Sequence, residues 1–464
     1  MIMKIENWKL KIESGVMLIH IIITIAVFAI LMLPLLDFIV MRIGFLRSAI
    51  AREQALQIAE AGVNFYQWRL AHFSEDYGGG GTYDFIDTDT SQRLGQYDLV
   101  ITPPPTGSTI VTIQSTGWTE ASPSITRTVT VQYGIPSLAQ YSLLLNSYVS
   151  VGSTSTYYGK FHSNSGIQFD GTATAEVSSA APGGTYTCQL DDGCSGTHNA
   201  IWGIGGPQNF WNYPVGNFGF SGITFDLGEI QREADEEGIY FAESGDDGYS
   251  LVFNINGTVS IYKVTSLRAH ATGYDGGISH PENIDYKNRT KLDGNPGVSG
   301  VQDFAIPENG LIFMGDNTWV EGTVNGRVTV AVAKLGETEL ANMPSIFIPN
   351  NIVYSAKDGS DVLGLISQGN VLMTYYVPND LEINAALIAQ WGAFKRYCFS
   401  NSLKGTLKVF GSRTSFGRTY SYCGSYNSGF QIREYEYDQN LLYAPPPSYP
   451  VSTDDYQQLK WESD

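Results

Sequence analysis

The sequence predicts an α+β protein with a long membrane-spanning N-terminal helix, a small antiparallel sheet and a large β-rich domain. Three observations predict this fold. An almost unbroken apolar run, ESGVMLIHIIITIAVFAILMLP, lies near the N-terminus, and apolar residues then continue at helical spacing. The rest of the chain is rich in glycine and tyrosine, with short runs that alternate apolar and polar residues between turn signals.

The apolar run is long enough to cross a bilayer. Apart from His20, residues 16–36 carry no formal charge. About 20 apolar residues suffice for a helix to cross a bilayer core of about 30 Å. A secretory signal has a shorter apolar core and a small-residue exit, whereas Pro34 leads here into further apolar residues. Three lysines precede the run, so the positive-inside rule predicts a single-pass protein of the cytoplasmic membrane with its N-terminus inside.

The same helix is predicted to leave the membrane and become amphipathic. Apolar residues at helical spacing are interleaved with arginine and glutamate from residue 38 to about residue 70. A helix over residues 16–73 would be about 85 Å long at 1.5 Å per residue. We expect Pro34 and Gly44 to kink or locally melt it. The alternative is a spanning helix followed by a stalk that only holds the body away from the membrane.

Composition favours an exported body of more than one folded unit. The 464 residues carry a net charge of −19, and only 16% of them are charged. Because phosphate binding requires clustered basic residues, this acidity argues against general nucleic-acid binding. The composition does not exclude a small local basic patch.

Four cysteines fall into two close pairs, Cys188 with Cys194 and Cys398 with Cys423. In an exported domain an even number favours disulfides, and proximity alone suggests this pairing. Free thiols are the alternative. Because the sequence has no C-x-x-C and no histidine at ligand spacing from a cysteine, a metal site there is disfavoured.

Two motifs resemble a known family. ESGVMLIHIII resembles the processing site of a type IV pilin or pseudopilin, with a leader of residues 1–15 that ends at Gly15 and a helix that begins at Val16. AREQALQIAEAGVNFYQWRL resembles the A-x-x-Q-A-x-x-x-A-E-A-G-x signature of PilX-like minor pilins. The matching positions are Gln54, Ala55, Ala59, Glu60, Ala61 and Gly62. The resemblance implies cleavage by a prepilin peptidase, with other pilin subunits and the pilus assembly machinery as partners.

The second motif suggests helix packing. Small residues such as Ala55, Ala59 and Ala61 would let neighbouring helices approach closely, and Glu60 is placed to meet a basic partner. The alternative is that each is simply a good helix former on a surface.

His20 departs from the family pattern. The major subunits of the family carry a glutamate at this position, which is taken to pair with the N-terminal amine of a neighbouring subunit. A neutral histidine accepts a hydrogen bond from an amine but does not neutralise it. The resemblance therefore implies a position at or near the tip of a filament. A tolerated residue near the membrane boundary is the alternative.

The rest of the chain is predicted to form a small pilin-like sheet over residues 74–136, a β-rich body over residues 137–450 and a disordered polar tail over residues 451–464. Residues 78–81, four glycines, are predicted to be a flexible joint. Residues 249–264 predict a hairpin that turns at Asn256-Gly257, and DLGEIQREADEEGIYFA predicts a short acidic helix. Later runs are too hydrophobic for a one-sided hairpin, which favours a parallel β-helix or solenoid over a β-sandwich.

Catalytic and metal sites are weakly supported. Candidate carboxylates for a β-helix enzyme that acts on polysaccharide are Asp246, Asp247, Asp275, Asp285, Asp293 and Asp303. Most sit beside glycine or asparagine, which favours a role in turns. His270 and His280 form no recognised ligand set, while Asp191-Asp192-Gly193 is a weak calcium candidate. We therefore predict no enzyme activity, no catalytic residues, no cofactor and no metal.

An aromatic cluster in a Gly- and Pro-rich stretch could pack inward or bind sugars or a host protein. Its members are Trp202, Phe210, Trp211, Tyr213, Phe218 and Phe220. The sequence as a whole favours a minor pilin-like structural subunit that is held in the membrane before assembly and displayed on the cell surface afterwards, for initiation of assembly or adhesion. A membrane-anchored adhesin outside any filament is the second interpretation, and a polysaccharide-acting enzyme is the third.

Overall fold

The computed structural model describes residues 14–74, 76–105, 108–153, 155–189, 192–442, 444–452 and 455–464. The chain divides into two compact units, and we number helices and strands in chain order. Unit 1 comprises Met1–Thr102, Thr112–Gln132 and Leu459–Asp464, and unit 2 comprises Pro103–Val111 and Tyr133–Gln458. Of the leader predicted for residues 1–15, residues 1–13 lie outside the described residues.

Unit 1 contains one long helix and a five-stranded sheet. Helix α1 runs from Ser14 to His72 without interruption, so Pro34 and Gly44 do not melt it. The strands are β1 (Gly81–Ile86), β2 (Arg93–Thr102), β3 (Val111–Thr119), β4 (Ser122–Gly134) and β35 (Gln457–Ser463), which lie in the order β1-β2-β3-β4-β35. The predicted long helix and small antiparallel sheet are confirmed.

Two short segments of unit 1 differ from the sequence-based expectation. Gly81 begins strand β1, and Gly79 before it is buried against the Tyr66 ring, so part of the glycine run is held in place instead of the whole forming a free joint. The polar residues after Pro450 include strand β35, which pairs beside β4, where a disordered tail is expected. Gly81 gains its backbone partner from the next strand, β2, whereas β35 gains its partner from β4, a strand distant in sequence.

Unit 2 consists largely of short strands. Its first part contains β5 (Tyr141–Leu145), β6 (Val149–Val151), β7 (Thr156–Tyr157), β8 (Lys160–Ser163), β9 (Ile167–Phe169), β10 (Thr172–Ala173), β11 (Val177–Ser179), β12 (Thr185–Thr187), β13 (Thr197–Asn199), β14 (Ile201–Trp202), β15 (Trp211–Asn212), α2 (Ile223–Glu237), β16 (Ile239–Phe241), β17 (Gly248–Asn254), β18 (Thr258–Arg268), β19 (Gly273–Asp275) and β20 (Ile278–His280).

Its second part contains β21 (Asp285–Lys291), β22 (Phe304–Ala305), β23 (Leu311–Met314), β24 (Thr318–Val324), β25 (Arg327–Val332), β26 (Ile346–Ile348), β27 (Ile352–Tyr354), β28 (Val362–Ser367), β29 (Val371–Met373), β30 (Leu381–Ala389), β31 (Phe394–Lys395), β32 (Leu403–Ser415), β33 (Tyr422–Cys423) and β34 (Ser428–Glu436). Short 3₁₀ turns occupy Leu138–Gln140, Pro182–Gly184, Gln208–Phe210, Phe220–Gly222, Gly424–Tyr426 and Gln439–Leu442.

Most ladders in unit 2 are parallel. Strands β23, β25, β28, β30, β32 and β5 pair in that order, each parallel to the next. The predicted hairpin is an antiparallel exception, since β17 pairs with β18 across the turn at Asn256-Gly257. The predicted large strand-rich domain with mostly parallel strands is confirmed, as is the predicted acidic helix, α2.

Burial on both faces explains the continuous apolar runs of these strands. In β28, Leu363 and Leu365 face one apolar cluster, whereas Val362 and Ile366 belong to a second cluster that includes Leu227 of α2. A parallel sheet covered on both faces is expected to show such runs instead of alternation. Helix α2 therefore supplies part of the cover that lets β28 be apolar throughout.

Candidate functional site

The first half of α1 exposes its apolar side chains. Within residues 17–50, large apolar residues are mostly exposed, for example Ile25 at 61% and Phe45 at 74%. An 18-residue window here has a mean hydropathy of 2.7, and α1 is long and apolar enough, by length and composition, to cross a membrane. His20 and Pro34 lie in this exposed half, and the helical backbone includes Gly15 and Val16. The side-chain hydroxyl of Thr24 donates a hydrogen bond to the carbonyl oxygen of His20 at 2.7 Å.

The second half of α1 packs on the sheet of unit 1. Ala55, Ala59 and Val63 are fully buried, and they recur every four residues on one face. A Cβ added to Gly117 of β3 would collide with the carbonyl oxygen of Ala55 and the backbone nitrogen of Ala59. The helix and strand backbones therefore approach as closely as two small side chains and a glycine allow.

This contact changes the role expected for the small residues. Ala55 and Ala59 face the chain's own sheet and are covered there, so they do not offer a free surface to a neighbouring helix. Gly62 is also buried, and a Cβ there would collide with side chains of Ser115 and Tyr97. Gln54 is exposed, whereas Glu60 and Ala61 are half-buried. Sequence reasoning assigned these small residues to a neighbouring helix and not to β3, because Gly117 lies far from Ala55 and Ala59 along the chain.

The end of α1 is tied to the segment that follows. Arg69 pairs with Asp76, its Nε donating at 3.0 Å, and the Tyr66 hydroxyl donates to the Asp76 carbonyl oxygen at 2.8 Å. The backbone N–H of Gly78 donates to the Asp76 carboxylate at 3.1 Å. This N–H and the Arg69 guanidinium lower the pKa of Asp76 below its usual range. The contacts fix the chain direction between α1 and β1.

Both predicted disulfides are present. Cys188 bonds to Cys194 and Cys398 bonds to Cys423, with a Cα–Cα distance of 5.7 Å in each. The second bridge joins the chain before β32 to β33, which pairs with β34. Pairing by proximity in the sequence was therefore correct.

Unit 2 contains a cavity of about 980 Å³ that we call the acidic cavity. Its ionisable lining residues are Glu243, Asp246, Asp275, His280, Glu282, Asp316, Lys334 and Lys395. Uncharged lining residues include Asn317, Ser345, Phe347, Asn370, Leu372 and Tyr397. Two of the six predicted carboxylates, Asp246 and Asp275, thus come together in one cavity although they are distant in sequence.

Asp275 is held as an anion at one wall of this cavity. It pairs with Lys395 and accepts a hydrogen bond from the Tyr420 hydroxyl at 2.8 Å. Burial acts to raise the pKa of Asp275, but the Lys395 ammonium and these hydrogen bonds outweigh it and lower the pKa. A general acid needs a raised pKa, so Asp275 is unsuited to that role.

Three of the other predicted carboxylates, Asp285, Asp293 and Asp303, have partners outside the acidic cavity. Asp285 accepts from the backbone N–H groups of Tyr375 and Tyr376, at 3.0 and 3.1 Å. Asp293 accepts from two backbone N–H groups in its own loop. Asp303 pairs with Lys291 and Ser260, and Asp247 does not line the acidic cavity.

His270 is a buried structural histidine. Its Nε2 accepts the backbone N–H of Ile284 at 2.9 Å, so Nδ1 carries the proton and donates to the Ala271 carbonyl oxygen at 2.8 Å. Among the described residues, no group of three or more His, Cys, Asp or Glu side chains is arranged to hold a metal ion. Asp191 of the predicted calcium loop lies outside the described residues.

The aromatic cluster packs largely inward. Phe220 is buried and contacts Phe218 and Phe416 edge to face. Trp211 and Tyr213 are half-buried against an apolar cluster of the strand-rich domain. Trp202 stacks on His198 at 4.6 Å, with Tyr148 and Tyr186 beside it. Phe210 is half-buried. Inward packing, and not display for binding sugars or a host protein, therefore accounts for most of these rings.

Comparisons with known proteins identify no family for this chain. No protein-family model matches it, and no curated protein matches it. Among solved structures, the competence-associated pilin ComZ from Thermus thermophilus aligns with 12% identity and a TM-score of 0.28, over 89% of this chain and 97% of that chain. Because this TM-score is so low, the pilin interpretation rests on the residues and packing of α1.

Proposed function

We propose that this protein is a minor type IV pilin-like subunit, cut after Gly15 and assembled into a filament through α1. The observation that carries the proposal is the contrast along α1, whose apolar half is exposed while its second half packs on the sheet. Exposed apolar surface of this extent requires cover by lipid or by other helices. In this proposal the helix exchanges lipid for other subunits, with the prepilin peptidase and the assembly machinery as transient partners.

The β-rich body would then be displayed at or near the tip of the filament, for initiation of assembly or adhesion. His20 supports the tip position, because it cannot neutralise the amine of a neighbouring subunit as a glutamate would. Before assembly the protein would reside in the cytoplasmic membrane with its N-terminus inside, and afterwards on the cell surface.

The test is the N-terminal mass of the protein recovered from sheared surface filaments and, separately, from membranes. A mature chain that starts at Val16 in the filament fraction would support processing and assembly. Gly15→Ala should retain the leader and remove the protein from filaments, whereas Ala29→Val, a change within the exposed half, should leave both unchanged. Uncut protein confined to membranes would contradict the proposal and favour the membrane-anchored adhesin.

We further propose that this role needs no catalysis. The carboxylates of the acidic cavity are engaged with neighbours: Asp246 with Lys263 at 2.7 Å, Glu243 with Lys334 at 2.5 Å and Asp275 with Lys395. The lowered pKa of Asp275 also opposes a role as acid. Release of reducing sugar from polysaccharide by the purified chain, lost in Asp275→Asn, would overturn this proposal.

A further inference from the structure

We propose that the acidic cavity binds an oligosaccharide that carries amino sugars. This inference goes beyond assembly through α1, and it rests on the proposed function only in that the body must be displayed at the cell surface to meet such a ligand. The cavity, at about 980 Å³, lies at the upper end of the size range of ligand pockets, about 300–1,000 Å³. It therefore has room for several sugar units.

The charge of the lining favours a cationic ligand. Five carboxylates and two ammonium groups line the cavity, and a third ammonium group, that of Lys263, pairs with Asp246 at 2.7 Å, which leaves a net charge of −2 with His280 neutral. A concave site lined mainly by one sign of charge concentrates ligands of the opposite sign. Anionic oligosaccharides are disfavoured by the same field, and the protonated amines of glucosamine units are favoured.

The lining of the cavity also includes uncharged hydrogen-bond donors. Asn317 accepts the backbone N–H of Ser345 through Oδ1 at 2.9 Å, and Asn370 accepts that of Ala393 through Oδ1 at 3.0 Å. Each Oδ1 is thereby fixed, and in the part of the chain that the structure describes neither Nδ2 group has a protein acceptor. Amide donors beside carboxylate acceptors match sugar hydroxyl groups, which both donate and accept.

Rings also contribute to the lining. Tyr397 and Phe347 line the cavity but are each more than nine-tenths buried, and the half-buried His280 ring stacks on Tyr397 with a centroid distance of 4.3 Å, so the His280 ring is the most exposed of the three. Pockets that combine aromatic walls with a few placed polar groups are typical of small-ligand sites. The carboxylates keep acceptor sites after pairing, since each ionised carboxylate has about four lone-pair positions. Amines and hydroxyl groups of a glycan can therefore reach them.

A basic peptide is the other ligand with suitable charge. Peptides are commonly bound by adding a strand to an exposed sheet edge, through main-chain hydrogen bonds. The acidic cavity instead offers side-chain amides, carboxylates and rings, so the observations favour the glycan. The experiment below separates the two.

The test measures binding of a glucosamine tetramer to the full chain in a detergent without a sugar headgroup, by titration calorimetry. Wild-type protein should bind it saturably, and more tightly than the uncharged N-acetylglucosamine tetramer. The double variant Asp246→Asn/Glu282→Gln removes two cavity charges and should weaken binding by about tenfold, as expected for partly exposed charge pairs. The matched control Asp235→Asn/Glu237→Gln makes the same change in charge on exposed positions of α2 and should change the affinity less than twofold.

Three results would overturn the inference. Absence of saturable binding to wild type would do so, as would equal weakening by the cavity variant and the α2 control. Tetralysine that binds more tightly than the tetramer, and loses affinity in the cavity variant, would assign the cavity to a basic peptide. Filament incorporation of the cavity variant should equal that of wild type, so a failure of this inference is distinguishable from a failure of assembly through α1.

Discussion

The two halves of α1 share one continuous helix but differ in how their apolar surface is covered. Residues 17–50 are the more apolar half and the more exposed one, whereas the second half buries Ala55, Ala59, Val63 and Leu70 against the sheet of unit 1. Hydrophobicity and burial therefore run in opposite directions along a single element. The difference teaches that the second half is covered by the chain's own sheet, while the first half needs a partner that the described residues do not provide.

The largest effect is expected from Gly117→Val, which would break the packed half. The new side chain would collide with backbone atoms of Ala55 and Ala59, which cannot move aside as a flexible side chain would. We expect a loss of about 3 kcal/mol in the free energy of unfolding, measured by urea unfolding. Gly44→Val is the matched control, since nothing lies within 4 Å of a Cβ at Gly44. Equal losses in the two variants would refute the contrast between the halves.

A charge introduced into the exposed half is expected to have an effect of similar size, but on membrane insertion instead of unfolding. Ala29→Arg places a charge within the apolar segment, and its insertion into a bilayer should cost about 2.5–3.5 kcal/mol. The amount of protein that resists carbonate extraction from membranes should fall, while urea unfolding of the folded units stays unchanged. Gln57→Arg, at an exposed position of the second half, serves as control. Unchanged extraction of Ala29→Arg would show that this half does not lie in the bilayer.

A smaller effect should follow from enlarging one alanine in each half. Ala59 is fully buried, so Ala59→Leu should lower the free energy of unfolding by about 2 kcal/mol through overpacking. Ala29→Leu makes the same change where the side chain is exposed and should leave unfolding unaltered. A neutral Ala59→Leu would mean that the helix can move away from β3 at little cost.

The smallest effect concerns the acid side of the pH profile. The pKa of Asp76 is lowered in the folded state from an ordinary value of 3.8. Its stabilising contribution is therefore present above that value and is lost as the pH falls through the lower folded pKa. Asp76→Asn should abolish this part of the acid sensitivity, which melting temperatures between pH 2 and pH 6 would reveal. Asp89→Asn, at an exposed position of the same unit, is the control. An unchanged profile in Asp76→Asn would exclude this carboxyl as the source.

Local patterns predicted the elements that depend on neighbours in sequence. Helix α1 followed from apolar periodicity, the β17–β18 hairpin from Asn256-Gly257, and the disulfides from close cysteine spacing. Strand β35 was not foreseen, because its partner β4 is more than 300 residues earlier and its own residues are polar. The acidic cavity was missed for a related reason: its lining comes from many segments of the chain, so no local sequence pattern brings Asp246 and Asp275 together.

The return of the chain to unit 1 has a mechanical consequence. The chain enters the β-rich body after β4 and returns to unit 1 in β35, which lies beside β4 in the sheet. There the backbone N–H of Thr128 donates to the Asp464 carboxylate, and the backbone N–H of Asp464 donates to the Thr128 carbonyl oxygen. A pulling force on residues 133–458 is therefore passed to unit 1 at both ends of that segment, through adjacent strands. The load reaches α1 through a whole sheet and not through one flexible tether.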